Sequence, residues 1–389
     1  MTLTPSIAVS ETYNDNVFSD NQNRQWDFIT TFSPAITLDI NRPGYELRAG
    51  YSFGADLYAR DSSLSNFFNR QNFVANGLYR LTPALTLSGT DSFVYNRDTS
   101  LSSQQAISTG RQESWSNNFT SRIAWQMTAR NSLSVSANYY ALRFLGTGSG
   151  TGSGTGSGST ANGTDSDTYG LETLLTHAFT PRLSGSIGYG FTYLDLRGQG
   201  QDLSGQGQED SKTHSPRVGI SYQLTRTLTA SVYGGPDITT AGGDTTVNPG
   251  GTASLAQVLP FGSASLLYTR GVTVAGGFGG SNDTQTASGT LTISSLQRGL
   301  LIVFNPVYSS SEPIGPQQGT QGDITTFALG LSASYQIARF TTIFAGYNFL
   351  RQRTGGSSAN QIGSSANQLD VDQNLVRFGL QFGYPINFD

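Results

Sequence analysis

Strict two-residue alternation is the dominant pattern of this chain. In YELRAGYSFGADLY, Tyr45, Leu47, Ala49, Tyr51, Phe53, Ala55 and Leu57 share one face, and Glu46, Arg48, Gly50, Ser52, Gly54 and Asp56 share the other. Seven apolar positions in one phase predict a β-strand whose two faces meet different surroundings. RLSGSIGYGFTYLD repeats the pattern, setting Leu183, Ile187, Tyr189, Phe191 and Tyr193 against Ser184, Ser186, Gly188, Gly190 and Thr192. DITTFALGLSASYQI does so again with Phe327, Leu329, Leu331, Ala333, Tyr335 and Ile337. The second faces carry small and polar side chains, which leave space where a packed soluble core needs bulk.

Short breaks separate the alternating runs: NRPG (Asn41–Gly44), LTPA (Leu81–Ala84), TARN (Thr128–Asn131), FTPR (Phe179–Arg182), LTR (Leu224–Arg226), YTRG (Tyr268–Gly271), QRG (Gln297–Gly299) and IAR (Ile337–Arg339). Pro suits such breaks, because it forms turns and cannot donate to a ladder. Between them fall long polar connections, among them Ser19–Gln25, Asp61–Asn66, Asp98–Arg111, Leu145–Asp167, Gly198–Asp210, Thr240–Thr252, Ser309–Gly322 and Thr354–Leu369. Regular alternation of short and long connections marks a transmembrane barrel more than a sandwich. The parse predicts an all-β fold: one closed antiparallel transmembrane β-barrel over residues 1–389, with short periplasmic turns and long extracellular loops. It gives about 18 strands, or 16 if the pair within 288–309 is merged. An even number places both termini on the short-turn side. GTGSGTGSGTGSGS, Gly146–Ser159, reads as the flexible middle of an external loop at about 145–167. It lacks the ending of a nucleotide-phosphate loop.

Composition narrows the class. Charged residues are 12% and hydrophobic residues 36%, with 47 Gly, 22 Phe and 18 Tyr. Soluble globular chains are about a quarter charged. A neutral-polar, aromatic-rich bias suits a wall with lipid on one side and a wet lumen on the other. The longest purely aliphatic-aromatic run is LLIVF, Leu300–Phe304, far short of the roughly 20 residues of a membrane helix. Membrane insertion therefore requires a closed barrel. Met1 leads directly into TLTPSIAVSETY, which fits a mature form carrying an added Met. The net charge of -4 argues against nucleic acid as a partner.

Candidate chemistry is sparse. There is no Cys, hence no disulfide and no thiol chemistry. Only His177 and His214 supply imidazole, and the strand parse sets them near opposite rims. A nucleophile–base constellation is therefore not expected, nor is an enzyme, cofactor or metal. DSDT (Asp165–Thr168) and DVD (Asp370–Asp372) lack calcium-loop spacing. Asn14, Asp15 and Asn16 suit a hydrogen-bonded turn at a strand exit. Nearly all basic residues are Arg; the single Lys is Lys212. Arg48, Arg60, Arg70, Arg97, Arg122, Arg143, Arg197, Arg217, Arg351 and Arg377 fall in or beside strands, and lipid exposure is costly, so the lumen or the rims should receive them. Carboxylates on comparable strands are Glu46, Asp56, Asp91, Asp195 and Asp372. Glu46, Arg48, Asp56 and Arg217 are the candidate lumen-lining residues. Opposed charges there either set a transverse field that selects solutes or neutralise one another and support the wall. Trp26, Trp115 and Trp125 suit a membrane-interface girdle, and Tyr58, Tyr95 and Tyr140 suit either packing or a sugar path.

The opening TLTPSIAVSETYNDNVF, Thr2–Phe18, and above all ETYNDNVF, Glu11–Phe18, resembles the start of a family of outer-membrane β-barrel proteins of porin type. Members of that family are found among exopolysaccharide and exosortase-associated gene clusters. The repeated LT-R/P-x-L-T turns are similar to that family too, and the organisation matches over nearly the full chain. The resemblance implies a Gram-negative outer-membrane location and a transport role in polysaccharide export, with a periplasmic envelope or export partner. It supplies no catalytic residues. The Gly-Thr-Ser loop departs from it.

Two functions follow as expectations. One is a channel or export conduit for hydrophilic solutes, including oligosaccharide or polysaccharide, with outer-membrane lipid around it. The other is a plugged structural or adaptor barrel in an envelope assembly. A soluble β-rich surface protein is the third alternative.

Overall fold

The computed structural model describes residues 1–96, 113–145, 165–197, 210–274, 281–294, 296–314, 323–355 and 370–388. Eighteen long strands run through them. They are β1 (Thr2–Asn14), β2 (Asp27–Arg42), β3 (Tyr45–Tyr58), β4 (Asn66–Thr82), β5 (Leu85–Asn96), β6 (Ser114–Gln126), β7 (Asn131–Phe144), β8 (Asp165–Thr180) and β9 (Leu183–Arg197). The second half adds β10 (Ser211–Gln223), β11 (Leu228–Ala241), β12 (Asp244–Leu259), β13 (Gly262–Val274), β14 (Ser281–Ile293), β15 (Leu300–Pro313), β16 (Asp323–Ala338), β17 (Thr341–Gly355) and β18 (Val371–Gly383). After Pro385, the two-residue β19 (Ile386–Asn387) completes the chain's pairing. The one helical turn among the described residues is Ser62–Leu64, and no helix is long and apolar enough to cross a membrane.

Each strand pairs antiparallel with its sequence neighbour, and β1 pairs with β18, so the sheet closes. The closing ladder runs from Ser6↔Gly383 to Asn14↔Leu375. β19 extends it with Thr2↔Asn387 and Leu3↔Ile386, and the Phe388 amide donates to the Met1 carbonyl at 2.8 Å. The Asn14–Asn16 turn locks the far end of the same seam. Asn374 donates its backbone and side-chain N–H groups to the Asp15 carboxylate at 2.7 Å each, and Asn16 Nδ2 donates to the Asp372 carbonyl at 2.9 Å.

The repeated short break has a local cause. A threonine hydroxyl accepts backbone amides across the turn, a turn type that Ser and Thr side chains favour. Thr82 takes Ala84 N, Thr128 takes Arg130 N and Asn131 N, Thr180 takes Arg182 N and Leu183 N, and Thr225 takes Thr227 N and Leu228 N. Bulges beside three of the breaks fall at Leu81, Phe179 and Ile337, each exposed.

Three features differ from the sequence reading. YTRG is not a break: Tyr268–Gly271 lies inside β13, and the turn sits at Pro260–Phe261. The charge at Arg270 imitates a break, but Asp283 on β14 pairs with it at 2.7 Å. Thr240–Thr252 is not a long connection either. β11 and β12 meet in a tight turn at Gly242 and Gly243, whose φ of 59° and 83° suit glycine. The doubtful pair around 288–309 forms two full strands, β14 and β15, so the count is 18. The Gly146–Ser159 stretch lies outside the described residues. Asp165–Asp167, expected at the loop's far end, instead opens β8.

Strand register sorts the side chains. Leu47, Tyr51, Phe28, Phe32, Ile36, Ile187, Tyr189, Val218, Ile220, Phe327, Leu331, Phe378 and Leu380 point outward and are exposed. That much contiguous apolar surface is untenable in water. It suits the hydrocarbon of a bilayer, where closure leaves the sheet without an edge. Tyr13, Trp26 and Phe28 cluster at the long-connection edge of this band, and Phe340, Phe382 and Tyr384 at the short-turn edge. Such aromatic pairs of girdles mark the two membrane interfaces.

Two outcomes test the assignment. Spin labels at Leu47, Tyr51 and Phe53 should be quenched by a lipid-soluble probe, and labels at Glu46, Arg48 and Asp56 by a water-soluble one; lipid quenching at Arg48 would put the register off by one. Removing residues 376–389 deletes the closing strand and should abolish membrane assembly. Heat-modifiable folding of that truncation would contradict the β1–β18 seam.

Candidate functional site: the lumen wall

Strand number sets the width. Eighteen strands spaced about 4.8 Å and tilted about 40° close a ring roughly 35 Å across, leaving roughly 25 Å inside a lining of side chains. The inner face has two zones. Toward the long connections its residues are buried: Asn14, Asp27, Thr31, Asp56, Thr213, Asp237, Thr239, Ser309, Thr326, Gln352 and Gln373. Toward the short turns Arg48, Arg122, Glu172, Ser332, Gln336 and Gln381 are exposed. A wide vestibule thus leads to a filled half. Val17 and Phe18, from the segment after β1, pack inside that half against Ile29, Tyr58 and Leu64.

Register sets Glu46, Arg48, Asp56 and Arg217 opposite the exposed apolar face, and each has a partner of opposite charge. Glu46 meets Arg80 at 2.8 Å, and Arg48 meets Asp39 at 3.5 Å. Both pairs are open to the vestibule, where such pairs add little stability. Asp56 is buried and takes Arg70 and the Thr31 hydroxyl at 2.6 Å each. Arg217 pairs with buried Asp237.

The Arg217 site follows from proline. In-strand Pro34, Pro216, Pro236 and Pro306 sit where the ladders skip. The β2–β3 register jumps from Phe32↔Ala55 to Ala35↔Ser52, β10–β11 from His214↔Ile238 to Val218↔Gly234, and β14–β15 from Ser288↔Val307 to Leu291↔Phe304. A proline cannot donate, so carbonyls across the gap lose ladder partners. Arg217 fills the β10–β11 gap: Nη1 donates to the Pro216 and Pro236 carbonyls at 3.3 and 3.0 Å while Nη2 holds Asp237. Ser215 Oγ donates to the same carboxylate. The pair lies over Gly250, where any Cβ would run into the Asp237 carboxylate and the Arg217 guanidinium. The NPGG sequence that resembled a loop is therefore wall, shaped to admit an ion pair.

The remaining ionisable residues divide by face. Arg48, Arg70, Arg122, Arg217 and Arg377 point inward. Arg60, Arg143, Arg197 and Arg351 lie on the outer side of the long-connection rim. There Arg143 and Arg197 meet fully buried Asp167 at 2.6 and 2.9 Å, and Arg60 stacks on Trp26 with its guanidinium 4.1 Å from the ring. Asp91, Asp195 and Asp372 also lie on the outer face, against the expectation that they line the lumen; their registers with Phe119, Asp167 and Arg351 fix this. Arg97 lies outside the described residues. Tyr58 and Tyr140 face inward, whereas Tyr95 faces out and donates to Glu113.

The sequence reading missed a second feature. Six of the eight connections on the short-turn rim carry an exposed arginine: Arg42, Arg130, Arg182, Arg226, Arg298 and Arg339. Among the described residues none of the six has a carboxylate partner. The opposite rim holds Asp15, Asp20, Asp61, Asp165, Asp210, Asp244, Asp323 and Asp370. The arginine ring surrounds the vestibule mouth and makes it electropositive, and a field of that kind gathers anions by steering. Arginine at the repeated breaks was the available signal.

His177 and His214 lie at opposite ends of the wall. The former contacts Asn131 Oδ1 at 2.7 Å near a short turn, and the latter contacts the Tyr189 hydroxyl at 2.6 Å near the other rim. Among the described residues no group of three His, Asp or Glu side chains could hold a metal.

No family model and no curated protein matches the chain. Solved structures similar to it are large bacterial barrels. Pseudomonas aeruginosa OpdL is 11% identical, with 99% of each chain covered and a TM-score of 0.46. Acinetobacter baumannii OccAB4 is 11% identical, with 99% of this chain and 98% of that chain covered and a TM-score of 0.44. The siderophore receptor PirA from Pseudomonas aeruginosa is 8% identical, with 98% of this chain and 80% of that chain covered and a TM-score of 0.44. The functional reading rests on this chain's own wall.

Removing one partner of a buried pair strands a charge, so Arg217→Ala should cost about 3–5 kcal/mol of stability. Arg48→Ala should cost less than about 1 kcal/mol. Urea unfolding in detergent measures both, and equal small losses would show that Arg217 does not support the wall.

Proposed function

We propose that this barrel resides in a Gram-negative outer membrane and provides an aqueous route for hydrophilic solutes. The carrying observation is the inner face of the short-turn half. It is open, built of Ser, Thr, Gly and Gln, and studded with the balanced charges of Asp39, Glu46, Arg48, Arg80, Arg122 and Glu172. Such a wall favours water and polar solutes over apolar ones. The exposed apolar belt and its two aromatic edges support the membrane placement. Glu46 and Arg48 would act collectively with their partners as the vestibule lining, Asp56 and Arg217 as supports of the filled half. A sugar cargo, and a periplasmic partner for polysaccharide export, rest on the resemblance of the ETYNDNVF segment.

The second reading is a plugged structural or adaptor barrel. The buried polar layer of the long-connection half favours it, since a fully open tube would leave those side chains wet.

Reconstitution separates the two. Liposome swelling over sugars of increasing size should show uptake that falls with size, and planar bilayers should show stable channels. Under a KCl gradient the arginine ring predicts anion preference at low ionic strength that fades as salt rises. Folded protein with neither current nor uptake would favour the plugged barrel, and cation preference would remove the steering role of the ring.

A further inference from the structure

The inner wall holds a charge that its neighbours leave uncompensated. A cavity of about 180 Å³ opens between β1–β5 on one side and β17–β18 on the other, lined by Asn14, Asp56, Tyr58, Arg70, Gln373 and Arg377 among others. Arg70 and Asp56 form a 2.6 Å ion pair and offset each other. Arg377 has no carboxylate within ion-pair distance among the described residues. Its one hydrogen bond runs from Nε to Ser10 Oγ at 3.0 Å, and the Phe344 ring lies 5.4 Å from its guanidinium carbon. Its two Nη groups remain available to a guest.

Gln373, another residue of the lining, has an acceptor that wants the opposite kind of partner. Gln373 is 2% exposed. Its amide nitrogen is committed to Asn14 Oδ1 and the Asn16 carbonyl at 3.2 and 3.0 Å, while its Oε1 is buried without a hydrogen bond. A buried acceptor left unpaired is destabilising, and a guest bearing a hydroxyl removes that cost.

We propose that this cavity is a subsite for a hydroxylated monoanion of the sugar-acid class. The guest's carboxylate would take the Arg377 fork, the geometry for which guanidinium is suited. One of its hydroxyls would donate to Gln373 Oε1, and Tyr58 and Leu375 would offer apolar surface to the ring. A cationic solute meets Arg377 unfavourably. A neutral sugar leaves the guanidinium uncompensated, and a small carboxylate leaves Gln373 unpaired. The assignment rests on the reading that solutes enter the lumen.

Calorimetry on the full-length folded barrel in detergent tests it, with glucuronate, glucose and acetate as probes. Glucuronate should bind more tightly than acetate, and glucose should not bind measurably. Arg377→Gln should weaken glucuronate at least tenfold, and Gln373→Leu should reduce it to the level of acetate. Should Arg377→Gln not give the heat-modifiable folded form, saturation-transfer NMR on the unmodified protein serves instead: acetate should displace glucuronate and glucose should not. Equal binding of glucuronate and glucose, or unchanged affinity in Arg377→Gln, overturns the subsite. Because binding is read without a membrane, binding without current keeps the subsite and removes the open conduit. Current without binding does the reverse.

Discussion

The β1–β18 ladder is the constraint on which everything else depends. In hydrocarbon an unpaired backbone N–H or C=O has no solvent to turn to, so a sheet survives there only when it has no edge. The chain secures that seam at three heights. β19 and Phe388 hold the short-turn end, nine paired residues hold the middle, and Asp15 and Asn16 hold Asn374 and Asp372 at the far end. The Glu11–Phe18 segment thus helps to close the ring.

Closure also explains how the wall tolerates proline. A closed barrel has no edge on which to hide Pro; the β2–β3 and β14–β15 ladders each skip around one, and the β10–β11 ladder around two. At β10–β11 the lost backbone bonds are replaced by the Arg217 side chain, and the guanidinium is in turn neutralised by Asp237. Arg217 therefore serves first as wall, whereas Arg48 and Arg122 are exposed in the vestibule. Between the two stands Arg377, inside the filled half, with hydrogen-bonding capacity that no neighbour consumes.

Charge is arranged along the axis rather than across it. Paired residues balance within the vestibule, while unpaired arginines gather at the short turns and carboxylates at the other rim. The expected transverse field between Arg48 and Glu46 is largely cancelled by Asp39 and Arg80. The short-turn arginines have no such carboxylate partners among the described residues, whereas at the other rim Asp15 pairs with Arg24 and Asp370 with Arg353.

The sequence by itself determined most of the strands and the sorting of their side chains into two alternating faces, because a two-residue period and a threonine-capped turn are local. Tyr45–Leu57 and Leu183–Tyr193 needed no partner to be read correctly. Tertiary structure decided what depends on a neighbour across the sheet. Arg270 looked like a break until Asp283 stood beside it, and NPGG looked like a loop until Arg217 needed room over Gly250. Asp91 and Asp372 looked lumenal until their registers placed them outside. Arg377 was one arginine among ten, and only the convergence of seven strands showed that it lines a cavity and, among the described residues, has no carboxylate within ion-pair distance. Arg270 and Asp283 lie 13 residues apart in the chain, and Arg377 and Ser10 lie 367 apart; no local pattern carries that information.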